Sequence, residues 1–409
     1  MTVTVRGPRV ARRPGRLPAA VVVALAALLT GCGGHAGGAR PVALRVTSTG
    51  FADGPVAIDI RGLQAGRRVT LHARWTAFGG HPWTSSTPLR AGPGGAIRLR
   101  GLAAARPLWA MRPVGAAFEH PFFFPPARGP STAAFSVTVG GRTVARATLA
   151  RRITPPTIRT RRLTLRHDGV VGVLFTPRGR ARRPAAVMFG GSEGGNGTID
   201  AAAMLAAHGY ATLALAYFGA PGLPSQLVNI PLEYFARAVR VLRRSPNVDP
   251  ARVAVMGASR GGELALLLAS TFPELIHGAI GLVPSASVYP APAAELRAWT
   301  LHGKALPLAE IPVERITGPV LTVGAGDDRV WASRASVEQI ERRLEAHRFR
   351  FPHQGLVYVG AGHGVAVALP YLPATGAAGG SGGTPRADAA ALADIWPHIL
   401  RYFAGRAGA

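Results

Sequence analysis

Residues 253–270 have to pass from an extended strand into a helix within five positions. A short β-branched run at 253–256 leads into Gly257-Ala258-Ser259-Arg260-Gly261, and a leucine- and alanine-rich helical stretch at 263–270 follows at once. Small residues on both sides of a serine permit a tight strand-to-helix turn, the arrangement known as a nucleophile elbow. It exposes the hydroxyl and sets a free backbone N–H beside it. The same G-x-S-x-G spacing recurs around Ser192 (190–194) and Ser381 (379–383), as expected in a chain with 52 glycines. Only the copy at Ser259 joins a strand signal to a helix signal.

Two regimes of patterning flank the proline break at Pro155-Pro156. Before it, short alternating runs at 43–46, 56–60, 69–75, 96–99, 135–139 and 143–149 are punctuated by Gly, Pro and Asp, with no long helical period. This predicts an all-β, immunoglobulin-like sandwich over residues 42–150. The run Phe122 to Phe124 reads as core or domain interface. After the break, strand signals at 163–166, 170–176, 185–189, 211–217, 253–256, 279–283, 320–323 and 356–359 alternate with helical segments at 199–208, 232–243, 263–271, 334–346 and 388–403. Apolar strands separated by helices predict an α/β domain over 157–405, a mostly parallel, doubly wound sheet of the α/β-hydrolase kind. Function then collects at the C-terminal ends of the strands. Residues 376–384 read as a low-complexity loop, and the match at Ser381 as accidental.

The N-terminus lies outside both domains. Five arginines between Arg6 and Arg16 precede an apolar stretch at 17–29, too short to span a bilayer, which ends in Leu29-Thr30-Gly31-Cys32. Leu-Thr-Gly-Cys resembles a bacterial lipobox. Residues 1–32 are therefore expected to be a lipoprotein signal ending at Cys32, the chain's single cysteine and the expected lipidation site. Residues 33–41 follow as a flexible tether. That expectation places the protein on the extracytoplasmic face of the cell membrane, held by a lipid anchor, with secretion as the alternative. The formal charge of +27 falls to +22 once residues 1–31 and their five arginines are removed. Such a surface favours anionic membranes, polymers or substrates. The arginines are scattered, with no basic helix or aromatic-interleaved patch, so no nucleic-acid partner is expected.

Downstream of Ser259, one apolar strand signal runs into Gly326-Asp327-Asp328 and another into Gly360-Ala361-Gly362-His363-Gly364. Nucleophile, acid and base in that order, each after a different strand, form a hydrolase triad. His363 is the candidate base for Ser259, and Asp327 or Asp328 the acid that fixes its tautomer. The oxyanion hole calls for two N–H groups. Arg260, after the nucleophile, supplies one, and Ser192 in the glycine-rich loop 189–195 supplies the other; Glu193 either tunes the resting serine or is solvated. No H-E-x-x-H, cysteine pair, phosphate loop or dinucleotide fingerprint occurs, so neither metal nor cofactor is expected.

Further stretches carry a family resemblance. Arg61-Gly62-Leu63 and Leu108-Trp109-Ala110-Met111 lie in the first half. The second half has residues 189–195, Ala214-Leu215-Ala216-Tyr217, Leu232-Glu233-Tyr234-Phe235, Gly257 through Leu264, Asp327-Asp328-Arg329-Val330-Trp331 and Gly362-His363. Together they resemble the acyl-CoA thioesterase and bile acid-CoA:amino acid N-acyltransferase family, in which a β-sandwich precedes an α/β-hydrolase domain. The resemblance implies a catalytic triad of Ser259, Asp328 and His363. It also implies hydrolysis, because the aminoacyl-transferring branch carries cysteine at the elbow. The leading expectation is a serine hydrolase that cleaves a small-molecule acyl thioester or carboxylic ester through an acyl-serine. The alternatives are acyl transfer to an amine or alcohol, and a non-catalytic binding lipoprotein. Residues 285–319, between two strands, are the expected lid.

Overall fold

The structure, a computed structural model, describes residues 41–48, 51–115, 123, 131–179, 181–292, 296–374 and 380–405. In chain order the first domain comprises β1 (Ala43–Ser48), β2 (Val56–Arg61), β3 (Arg68–Thr76), β4 (Pro82–Arg90), β5 (Ile97–Leu99), α1 (Gly101–Trp109), β6 (Arg112–Pro113), β7 (Ser131–Val139) and β8 (Arg142–Arg151). These strands form a three-stranded sheet, β1-β2-β5, and a five-stranded sheet, β6-β4-β3-β7-β8, every pairing antiparallel. Alternate residues of both sheets face one core, in which Ile58, Ile60 and Leu71 are fully enclosed. Phe123 wedges between the two buried tryptophans of that core, 4.8 Å from Trp75 and 5.6 Å from Trp83 between ring centroids. It is thus core; Phe122 and Phe124 lie outside the described residues.

Two elements of this domain escape periodicity. β4 reads Pro-Trp-Thr-Ser-Ser-Thr-Pro-Leu-Arg, with two prolines and a polar middle, yet it pairs with β3 over nine residues because Trp83 and Thr87 point inward. The helix α1 is an addition to the sandwich that no helical period in the sequence marked. It buries Ala104, Ala105 and Leu108 although Pro107 lies inside it.

The second domain runs β9 (Ile158–Leu163), α2 (Leu165–Asp168), β10 (Val171–Pro177), β11 (Arg183–Phe189), α3 (Ile199–Ala207), β12 (Ala211–Ala216), β13 (Ile230–Pro231), α4 (Leu232–Arg243), β14 (Val248–Ala258), α5 (Arg260–Thr271), β15 (Ala279–Leu282), β16 (Trp299–Leu301), β17 (Lys304–Ala305), β18 (Val320–Ala325), α6 (Ser333–Ala346), β19 (His353–Tyr358) and α7 (Pro385–Phe403). Eight strands form one sheet in the order β19-β18-β15-β14-β11-β12-β10-β9, parallel from β19 to β12 and antiparallel across β10 and β9. Both faces of its centre are buried: Val187 and Phe189 of β11 enter one core, while Ala186 and Met188 enter the other. The fold is therefore an α/β-hydrolase sheet behind a β-sandwich.

The strand expected at 163–166 lies earlier, at Ile158–Leu163, and residues 165–168 form a helical turn instead. That segment reads Ile-Arg-Thr-Arg-Arg-Leu. As an edge strand exposed along most of its length, it lacks the apolar pattern that marks the central strands. From β11 the chain steps to β12 on one side and, later, to β14 on the other. The crevice at the C-terminal ends of β11 and β14 is consequently the topological switch point, where sheets of this class bind ligands.

Asp53 ties the two domains together. Its carboxylate accepts the Trp396 indole N–H at 2.7 Å and meets Nε2 of His208, both in the second domain. Burial pushes the Asp53 carboxyl up, but the His208 and Trp396 contacts outweigh it and hold it below the ordinary range. Arg151, 1% exposed, donates to the carbonyl oxygens of Gly54 and Ala52, and burial lowers its pKa to about 10.

Candidate active site

The elbow forms as the sequence requires. Ser259 sits at φ +56°, ψ −122°, a conformation rare for a residue with a side chain and costly by about 1–3 kcal/mol. The residues two positions away on either side, Gly257 and Gly261, are glycine for steric reasons. A Cβ on Gly257 would come 1.9 Å from the Gly261 carbonyl oxygen, and one on Gly261 would come 2.2 Å from that of Gly190. Helix α5 starts at Arg260, and every residue from Arg260 to Ser270 is buried.

Ser259 Oγ lies 2.9 Å from His363 Nε2. His363 Nδ1 faces the Asp328 carboxylate, 2.9 Å from Oδ2 and 3.1 Å from Oδ1. Asp328, with its side chain 1% exposed, also accepts the Ser333 hydroxyl at 2.6 Å and the Val330 N–H at 3.0 Å. Burial alone would raise this carboxyl. Hydrogen bonds from His363 and Ser333, the His363 charge and the Val330 N–H overcome that and hold the pKa below the ordinary aspartate value. It therefore stays a carboxylate able to fix Nδ1–H and leave Nε2 free to accept the serine proton.

The neighbouring Asp327 is turned elsewhere, accepting the Gly383 N–H at 2.9 Å and the Arg329 Nε–H at 3.1 Å. The described part of the glycine-rich loop is packed behind the triad. The His363 N–H donates to the Ser381 carbonyl at 3.0 Å, and Gly382 bridges to Asp328. Asp388, in the first turn of α7, accepts the Gly362 N–H at 2.8 Å, and burial raises its pKa to about 6. Sequence alone does not single out Ser333 or Asp388, and it sets Ser381 aside as an accidental match. Ser333 carries one usable signal, a hydroxyl five residues beyond the acid at the first residue of a helix.

The loop after β11 lies against the nucleophile. A Cβ on Gly191 would come 2.9 Å from the Ser259 Cβ, so only glycine fits. Glu193 is an exposed residue, but its carboxylate turns back to accept the Gly191 N–H at 2.8 Å. Desolvation raises its pKa, opposed by the backbone N–H groups and the His363 charge. With the Gly191 N–H taken, the N–H groups of Ser192 and Arg260 remain the candidate oxyanion donors, Arg260 as the first residue of α5.

The Arg260 side chain is locked in place. Its Nη1 donates to Glu263 Oε2 at 2.8 Å and its Nη2 to the Tyr289 carbonyl at 3.1 Å. Glu263 Oε1 accepts the Trp299 indole N–H at 2.7 Å. The expected lid is thus anchored to the nucleophile's helix. Tyr289 packs at a tilt against Trp331, 5.6 Å between centroids, and Trp331 stands edge-on to His363 at 6.1 Å. Lys304 is exposed on β17. Among the described residues no three His, Cys, Asp or Glu side chains converge on a cation site. Cys32 lies outside the described residues.

This geometry can accept a proton from an alcohol, hold the resulting imidazolium and offer backbone donors to a developing oxyanion. Residues 230–294 and 296–408 match the family described as BAAT / Acyl-CoA thioester hydrolase C terminal. The mitochondrial acyl-coenzyme A thioesterase 2 of Mus musculus is 31% identical over 402 residues, covering 86% of each chain. The peroxisomal succinyl-coenzyme A thioesterase of the same organism is 29% identical, covering 89% of this chain and 97% of its own. Among solved structures, a dienelactone hydrolase-like phosphotriesterase from metagenomic libraries matches 61% of this chain and 98% of its own, at 20% identity and a TM-score of 0.43. The chain belongs to the acyl-CoA thioesterase family.

Proposed function

We propose that this protein is a serine hydrolase that cleaves acyl thioesters, and carboxylic esters by the same chemistry, through an acyl-Ser259 intermediate. The observation that carries the reading is the continuous chain of contacts from Ser259 Oγ through the His363 ring to Asp328. Its relatives' activity, that of acyl-coenzyme A thioesterases, supports a thioester as the bond broken. His363 Nε2 takes the hydroxyl proton as Ser259 Oγ attacks the acyl carbonyl, and Asp328 stabilises the imidazolium. The tetrahedral oxyanion meets the N–H groups of Arg260 and Ser192. Collapse expels the leaving group, which takes the proton from His363 and departs as the thiol or the alcohol, leaving the imidazole neutral. Water then gives its proton to His363 and attacks the acyl-serine, whose collapse returns the carboxylic acid and free Ser259.

The setting forms part of the same proposal. Leu29-Thr30-Gly31-Cys32 after an arginine-rich head supports a lipid attached at Cys32 and a place on the extracytoplasmic face of the cell membrane. Incorporation of labelled palmitate into the wild type, and its loss in Cys32→Ala, tests the anchor. For the chemistry, thiol release from acyl-CoA thioesters of graded chain length is expected in the wild type and absent in Ser259→Ala. Equal turnover by the two proteins would remove Ser259 from the mechanism.

A further inference from the structure

We infer that Tyr217 is a positioning residue for the oxyanion hole: its hydroxyl fixes the peptide plane that carries the Ser192 N–H. The inference rests on the acyl-serine reaction proposed above and adds a residue to it. Tyr217 follows β12 directly, and its hydroxyl reaches two consecutive carbonyl oxygens of the loop after β11, Gly191 at 2.6 Å and Gly190 at 3.0 Å. In a trans peptide the C=O and N–H point in opposite directions. Tethering the Gly191 carbonyl to Tyr217 therefore turns the Ser192 N–H to the other side of the loop. The preceding peptide is held at its N–H by Glu193 Oε2, while its carbonyl shares the single Tyr217 proton at the longer distance. The Ser192 N–H has no acceptor among the described residues, and Gly191, in the same peptide unit, lies against Ser259.

Glycines alone would leave this segment free to rotate. The tyrosine removes that freedom, because its own ring cannot move. It is 2% exposed and packed among Phe218, Phe235, Trp299 and Phe189, with centroids 5.0, 5.3, 5.9 and 6.3 Å away. Burial, reinforced by the Glu193 charge, pushes the phenol well above its ordinary pKa, so the donor proton is retained throughout the working pH range. A donor aimed before the charge develops needs no reorganisation in the transition state, where oxyanion holes act.

The test is Tyr217→Phe, which keeps the ring and deletes the hydroxyl. Removing an oxyanion donor outright costs about 10²–10³ in kcat. Releasing its aim is expected to cost about 10- to 100-fold, with KM within about twofold. Affinity for an acyl trifluoromethyl ketone, whose adduct carries the oxyanion, should fall by the same factor as kcat/KM; a general loss of structure would not track in this way. Ser192→Pro deletes the N–H itself, and adding Tyr217→Phe to it should cost little more. Wild-type kcat in Tyr217→Phe, or fully additive losses in the double variant, would overturn the inference. Should Tyr217→Phe not fold, wild-type kcat in Ser192→Pro would overturn it equally. Ser259→Ala separates the layers: its activity would refute the proposed reaction, whereas an inactive Ser259→Ala beside an unaffected Tyr217→Phe would refute only the role of Tyr217.

Discussion

Glu263 is completely enclosed, yet it carries the ionisable group that anchors Arg260, and the substitution Glu263→Gln has a pH signature that follows from this. Burial pushes its carboxyl up to about 7, against the opposing pull of the Arg260 charge and the Trp299 N–H. The folded value lies above the ordinary 4.5. The stability it contributes is therefore fully present below about pH 4.5 and is lost as pH rises through about 7. Linkage over that shift takes roughly 2–3 kcal/mol from the wild type between pH 5 and pH 8. Glutamine does not titrate, so this slope disappears. Its amide also meets the Arg260 Nη1 donor to donor, a pH-independent cost of about 1–3 kcal/mol. Glu263→Gln should thus be clearly less stable than wild type at pH 5 and draw level near pH 8. Urea unfolding followed by tryptophan fluorescence reads the difference. With a slope near 2–3 kcal/mol per molar, the gap between midpoints should change by about 1 M across that range. A gap that is the same at both pH values would refute the reasoning, since it would mean that Arg260 keeps the carboxylate ionised despite its burial.

Two other substitutions probe the scaffold. Gly261→Ala drives a methyl to 2.2 Å from the Gly190 carbonyl. It should separate α5 from the oxyanion loop, cost about 1–3 kcal/mol and lower kcat more than tenfold, as steady-state kinetics beside thermal unfolding will show. Asp53→Ala strips the acceptor from Trp396 and His208 and the counter-charge from buried Arg151. It should cost about 3–5 kcal/mol, visible in calorimetry as a lowered Tm, while kcat on a small soluble ester stays within about twofold.

The sequence exposed the nucleophile and the acid because each follows a strand end buried on both faces, in β14 and β18, whereas His363 follows the half-buried edge strand β19 and stood out by its flanking glycines and its place in the order. Order and spacing then left Asp327 against Asp328 open; the structure separates them by their partners, His363 for one and the Gly383 N–H for the other. What could not be read is what crosses the sheet. Tyr217 and Gly191 are 26 residues apart and meet only because β11 and β12 are neighbours. The glycine-rich segment looked like a linker because backbone carbonyls, which carry no sequence signature, do the work at Ser381. β4 and β9 were hidden for a related reason: prolines in one and arginines in the other mask strands whose pairing partners supply the order.

The most direct measurement is the site of acylation. Full-length protein mixed with an activated short-chain ester, quenched within the first turnover and digested, should show the acyl mass on the peptide containing Ser259. In His363→Ala that adduct should fail to form on the same timescale. An acyl group found on another residue, or turnover with no covalent adduct under conditions that trap known acyl-serines, would contradict the account.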